Sequence, residues 1–225
     1  MPDPGVGRAT AAAGARRRRR CARVTAPIGA LGLAALLVGC AQPPVAPADR
    51  VERFADAFVQ LLPVGRVMDA AAARDARWPL GAKAALVSDR QLGCMRAALS
   101  SAAVTPRQRQ AARDYARSHA DTLDDELQIL EAGAAALFGD AMLAAAERRP
   151  GGSLAGASPV QAQALVALMT EPRYAALRHA SGLDGLLDGG AERARQRGRE
   201  LGQTLLVRYM TDAFLTCHIP VKLLY

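Results

Sequence analysis

Residues 105–137 read TPRQRQAARDYARSHADTLDDELQILEAGAAAL, and their periodicity decides the fold class. Ala111, Tyr115, His119, Leu123, Leu127, Leu130, Ala134 and Leu137 recur at steps of three and four, the spacing at which an α-helix buries one face. Thr105-Pro106-Arg107-Gln108 supplies a start signal, a capping hydroxyl three residues ahead of a glutamine that can reach back to it. Proline at the first helical position loses nothing, because that N–H has no partner anyway. The expectation is one long helix from Thr105, ended or bent at Gly139.

The same grammar recurs at Ser88-Asp89-Arg90-Gln91 and Ser158-Pro159-Val160-Gln161, so two further helices begin there. Upstream, Asp49-Arg50-Val51-Glu52 has capping-box spacing and opens a helix with Val51, Phe54, Phe58 and Leu61 on one face. Pro63 ends or kinks it. Val64, Val67, Met68 and Ala71 continue as a second helix, stopped near Trp78-Pro79 because the residue before proline avoids the helical region; Trp78 is expected in the core. Downstream, the stretch RPGGSLAGA at 149–157 reads as a loop. The helix from Ser158 turns Val160, Ala164, Leu165 and Leu168 inward. Glu171-Pro172 restarts a short helix carrying Tyr174 and Leu177, and the glycine-rich stretch from Ser181 to Gly190 breaks it. A last helix from about Ala191 to Cys217 carries Leu201, Leu205, Tyr209 and Ala213 on one face and closes before Pro220. No stretch alternates with period two. The reading is a single all-α domain over residues 49–225, of six to eight helices, long enough for one core and too short for two.

The first 39 residues belong to another class of sequence. Arg8, the run Arg16 to Arg20 and Arg23 precede an apolar stretch, APIGALGLAALLV, from Ala26 to Val38. At about 1.5 Å per residue that stretch is too short to span a ~30 Å hydrocarbon core, so it reads as a cleaved export signal. It ends in Leu37-Val38-Gly39-Cys40, which resembles the lipobox of bacterial lipoprotein precursors. The resemblance implies cleavage between Gly39 and Cys40, a diacylglyceryl group on the Cys40 sulfur, and acylation, as with palmitate, of the new amino end. An ordinary secretory signal with an incidental cysteine is the alternative. Arg19-Arg20 lacks the large apolar residues that follow a twin-arginine pair, which favours the general secretory route. Residues 41–48, AQPPVAPA, form a proline-rich tether behind the lipidated cysteine, of roughly 3.1 Å per residue in extended polyproline form. Ala41 is not the aspartate that retains such proteins at the inner membrane, so the resemblance implies the periplasmic face of the outer membrane.

Removing the leader takes away 7 of the 29 Lys and Arg and 1 of the 21 Asp and Glu, leaving 22 basic residues against 20 acidic ones. The chain's formal charge of +8 and pI near 10.0 therefore belong largely to the leader, and they give no warrant for a nucleic-acid partner. Cys21 leaves with the leader and Cys40 is acylated, so the folded domain keeps Cys94 and Cys217. In an oxidising compartment these are expected to pair; two buried free thiols are the alternative, since sequence does not give their separation.

The chemistry signals are few. There is no G-x-S-x-G, H-E-x-x-H, P-loop, C-x-x-C or S-x-x-K pattern, no catalytic set, and nothing that implies a cofactor or metal. His119, on the apolar stripe near Asp121, Asp124 and Asp125, is the one place where an active or metal site can be drawn, with Asp121 and Asp125 one helical turn apart. A core histidine beside a solvated acidic face is the plainer reading. Cys217-His218 makes a poor chelate, because neighbours on a helix point about 100° apart. The glycines around Ser153 are a linker. Gly198 and Gly202 form a G-x-x-x-G pair expected to let another part of the domain approach closely, rather than to dimerise in a membrane.

Across about residues 50–185 the domain resembles a group of small helical envelope proteins from Gram-negative bacteria without known function. The resemblance rests on the Phe54 to Leu62 helix with its Pro63-Val64-Gly65 break, the capped helix from Ser88, and Glu171-Pro172-Arg173-Tyr174 ahead of Leu177 and Gly182. It implies an all-helical fold and no catalytic residues. Two functions therefore compete: a non-catalytic, membrane-anchored lipoprotein whose domain binds an envelope protein or an apolar small ligand, and an enzyme or metal-binding protein with its site at His119, Asp121 and Asp125. The first needs an apolar groove or patch. The second needs His119 gathered with further polar groups in a cleft.

Overall fold

Helix α1 (Ala48–Leu61) is the element around which the others collect, because Val51, Phe54, Ala55, Ala57, Phe58 and Leu61 bury a wide face of it. The computed structural model describes residues 47–149, 156–220 and 223, which fall in one compact unit. The expected export signal, Cys40 and nearly all of the expected tether lie outside the described residues, as does most of the expected loop at 149–157. After α1 come α2 (Val64–Arg74), a 3-10 turn at Gly81–Leu86, α3 (Asp89–Ala98), α4 (Ser101–Ser118), α5 (Leu123–Ile129), α6 (Ala135–Glu147), α7 (Pro159–Thr170), α8 (Ala175–Ser181) and α9 (Gly190–Thr216). A π-helical turn, Leu130–Ala134, makes α5 and α6 one bent rod. The described residues are all-α, with eight helices when the α5–α6 rod is counted once, inside the six to eight expected, and no strand among them.

α1 packs against α4 on one side and against the α5–α6 rod on another, while α2 lies across α4 and α6. The rod, Leu123–Glu147, is long enough to cross a membrane, and an 18-residue window of it has a mean hydropathy of 1.5. Leu123, Leu127, Leu130, Ala134 and Leu137 of the rod are buried in the protein core. Two glycines shape the rod. Gly133 has φ 115°, a conformation that favours glycine, and there the rod bends. Gly139 neither ends nor bends it: it sits inside α6 at the crossing with α1, where a Cβ would lie 2.0 Å from the Gln60 carbonyl oxygen.

The long helix expected from Thr105 is two helices. α4 begins at Ser101, where Asp69 of α2 accepts a hydrogen bond from the Ser101 N–H at 3.1 Å. A partner from another helix thus does what the Thr105 hydroxyl was expected to do. Pro106 stands inside α4, and Gln108 is buried, donating to the Leu62 carbonyl at 2.6 Å. The buried face of α4 is Val104, Gln108, Ala112 and Ala116, not the Ala111, Tyr115 and His119 line, because the chain turns at 119–122 and the phase does not carry through.

The capping boxes at Ser88 and Ser158 are formed on both sides. The one expected at Asp49 is not: α1 starts at Ala48 without a side-chain cap, and Glu52 accepts two hydrogen bonds from the Arg113 guanidinium, both at 2.8 Å. Val160 of α7 is also out of place, 62 % exposed where an inward side chain was expected. Tyr174 and Leu177 are buried, and Trp78 is half-buried against the core rather than inside it.

Candidate functional site

The last helix closes an apolar cavity. Its end is fastened first: Ala213, Phe214, Cys217 and Ile219 are buried, Cys94 of α3 and Cys217 form a disulfide with Cα atoms 5.8 Å apart, and Gln91 donates to the His218 carbonyl at 3.1 Å. The Arg107 guanidinium lies 5.4 Å from the Tyr209 ring centre and pairs with Asp212. So held, α9 runs back over α2 and α6. Val64, Val67, Met68 and Ala71 of α2 form one wall of a cavity of about 140 Å³; Trp78 and Met142 of α6 form its sides, and Gly202, Leu205 and Leu206 of α9 form the other wall. None of these residues is ionisable.

Gly202 is open where it was expected to be close-packed. A Cβ built on either Gly198 or Gly202 would meet no heavy atom within 4 Å, so the G-x-x-x-G pair does not mark a close crossing among the described residues. Glycine inside a helix costs about 1 kcal/mol relative to alanine. At Gly202 that cost comes with open space on the cavity side of α9.

A second cluster gathers at the end of α4. His119 is the C-cap residue, and its ring stacks on Tyr115 with centres 4.0 Å apart. Tyr115 in turn stacks on Phe54 at 5.4 Å. The His119 Nδ1 lies 3.0 Å from both the Tyr115 carbonyl and the Ser118 hydroxyl. Beneath them is Glu126, wholly buried; its Oε1 accepts from the Tyr115 hydroxyl at 2.8 Å and from Thr122 at 3.2 Å, and its Oε2 has no partner among the described residues. Burial pushes the Glu126 carboxyl above its ordinary range, against the smaller lowering effect of the two hydroxyls. Burial also pushes the Tyr115 hydroxyl up.

Asp121, Asp124 and Asp125 are exposed, while His119 is gathered with Tyr115, Thr122 and Glu126; of the two aspartates drawn beside it from sequence, Asp121 is near enough for its charge to raise the Tyr115 hydroxyl and the Glu126 carboxyl. Among the described residues no three of His, Cys, Asp and Glu are grouped as metal ligands. Cys217, engaged in the disulfide, has no thiolate to offer a metal. The residue that sequence reasoning missed is Glu126, and its signal was present: Leu123, Glu126, Leu127 and Leu130 share the helical spacing of a buried face. A wider surface hollow along α4 holds Arg109 and Arg113, but both are already engaged by Glu52.

No family model matches the chain, and no curated protein or solved structure is significantly similar to it. The function has to be read from the site.

Proposed function

We propose that the mature protein is a lipid-anchored envelope protein, cleaved before Cys40, acylated there and held on the periplasmic face of the outer membrane. Its helical domain is non-catalytic and binds an envelope protein or an apolar ligand. The observation that carries the binding reading is the cavity between α2, α6 and α9, whose lining has no charged group and so suits an apolar occupant. The anchor rests on Leu37-Val38-Gly39-Cys40 behind its basic and apolar leader. The Cys94–Cys217 disulfide suits an oxidising compartment.

The geometry gives less to a catalytic site at His119. Asp121 and Asp125 are exposed, and the carboxylate that does lie in that cluster, Glu126, is closed off from solvent, whereas a general base must reach a substrate's proton.

The test is the intact mass of membrane-extracted protein, with and without reduction, beside a Cys40→Ala variant, together with analysis of whatever small molecules or proteins co-extract. A chain beginning at Cys40 and heavier by acyl groups is the expected result, with the variant unacylated and uncleaved. An unmodified chain that retains residues 1–39 would sink the anchor, and a stripped domain with no co-extracted partner or ligand would sink the binding role.

A further inference from the structure

We infer that the cavity roofed by α9 is a binding site for a small uncharged aromatic molecule of about one ring. This rests on the reading of the domain as a binder and names the class of ligand. Size comes first. The cavity is about 140 Å³, and a dry apolar cavity of about 150 Å³ accepts benzene; a fused two-ring system would protrude from its mouth. Charge comes next, since no lining residue is ionisable and burying an unpaired charge there is heavily penalised.

The lining also prefers a ring to an alkyl chain. Met68 of α2 and Met142 of α6 line it from two helices, and Trp78 adds an aromatic side chain to the lining. Thioether sulfurs gain contact energy against aromatic rings, and a second ring packs edge-on or offset against an indole. Entry has a place as well: Gly202 is exposed while also lining the cavity, and its missing side chain leaves the mouth open, with nothing within 4 Å of where a Cβ would stand. The wall at that mouth is part of a helix secured at its far end by the disulfide, so the site is bounded without being sealed.

Trp78 is the one tryptophan of the chain, so its emission reports on this cavity alone. The experiment titrates toluene, and separately n-pentane, into the full chain carrying Cys40→Ala, which removes the acylation site. Trp78 emission and the methyl resonances of Met68 and Met142 are followed. Saturable changes with toluene, several-fold weaker binding of pentane, and loss of saturation in Gly202→Leu, whose side chain fills the mouth, are expected. An unchanged or raised thermal midpoint shows that Gly202→Leu is folded. No saturable response to toluene, pentane binding as tightly, or an unchanged response in Gly202→Leu would each overturn the inference. The anchor and the binding role are scored separately by the mass and co-extraction measurements, so a domain that co-extracts with a protein but ignores toluene sinks this inference and leaves that reading in place.

Discussion

Glu126 is a carboxyl group in the position of a core leucine. Its neighbours in the buried line of the rod are Leu123, Leu127 and Leu130, and one of its two oxygens has no partner among the described residues. Burial raises its pKa in the folded state above the ordinary carboxyl value. An acid so shifted favours the folded state fully while the unfolded carboxyl is also protonated, below about 4.5, and that contribution is lost as pH rises through the folded value. Glu126→Gln removes the charge while keeping the shape, so the variant is expected to gain stability over the native chain as pH rises from about 4.5, with little difference below it. Urea unfolding across that range checks it; a difference independent of pH would show that Glu126 does not titrate as its surroundings require. The sequence placed weight on Asp121 and Asp125 because they flank His119, but adjacency along a chain is not adjacency on a helix, and phase alone would have chosen Glu126. Gly139 was visible only as a glycine. What it does depends on a carbonyl of α1, 79 positions upstream at Gln60, and no local pattern encodes that. Gly139→Ala forces a methyl onto that oxygen and is expected to cost about 3 kcal/mol, the upper end of core overpacking, read as a lower urea midpoint with unchanged slope.

At the scale of elements, three start signals written in the same grammar met two different fates. Ser88 and Ser158 accept from the N–H groups of Gln91 and Gln161, and those side chains reach back to the Ser88 and Ser158 N–H groups. Thr105 lies one turn inside α4, whose first N–H is taken by Asp69. Ser88→Ala and Ser158→Ala are each expected to destabilise the domain by about 1 kcal/mol. Thr105→Ala loses no cap and moves toward a better helix former, so it is expected to be neutral or slightly stabilising. Equal losses at all three positions, measured by thermal unfolding, would mean that Thr105 caps after all. The element types and the faces of α1 and α8 were legible because their apolar spacing is local. The phase of α4 and the turn at 119–122 were not, since a start supplied across space by α2 shifts which residues of α4 are buried. The open face of α9 belongs to the same class: a G-x-x-x-G pattern tells that a backbone is bare, and only the packing tells whether anything lies against it.

For the whole molecule the decisive cross-link is Cys94–Cys217, whose ends lie 123 positions apart in the chain. Both cysteines were identifiable by elimination, and their pairing awaited the 5.8 Å approach of their Cα atoms. In the chain-entropy account, closing a loop of that length stabilises the folded state by up to about 5 kcal/mol, comparable with the lower end of a whole domain's stability of about 5–15 kcal/mol. The bond also decides where stability is lost. α9 is exposed along nearly all of residues 192–200, and its buried residues Ala213, Phe214 and Cys217 cluster at the end that the disulfide fixes to α3. A Cys94→Ser, Cys217→Ser double variant is therefore expected to lower the urea midpoint sharply and to become indifferent to reductant. Hydrogen exchange should quicken first in α9 and later, if at all, in α1 and the rod, whose contacts do not pass through the disulfide. Uniformly faster exchange in every helix would show that the bond acts only through the unfolded chain. Exchange confined to α9 would make the last helix a separately released wall, and the same variant should then lose the toluene response that its closed position supports.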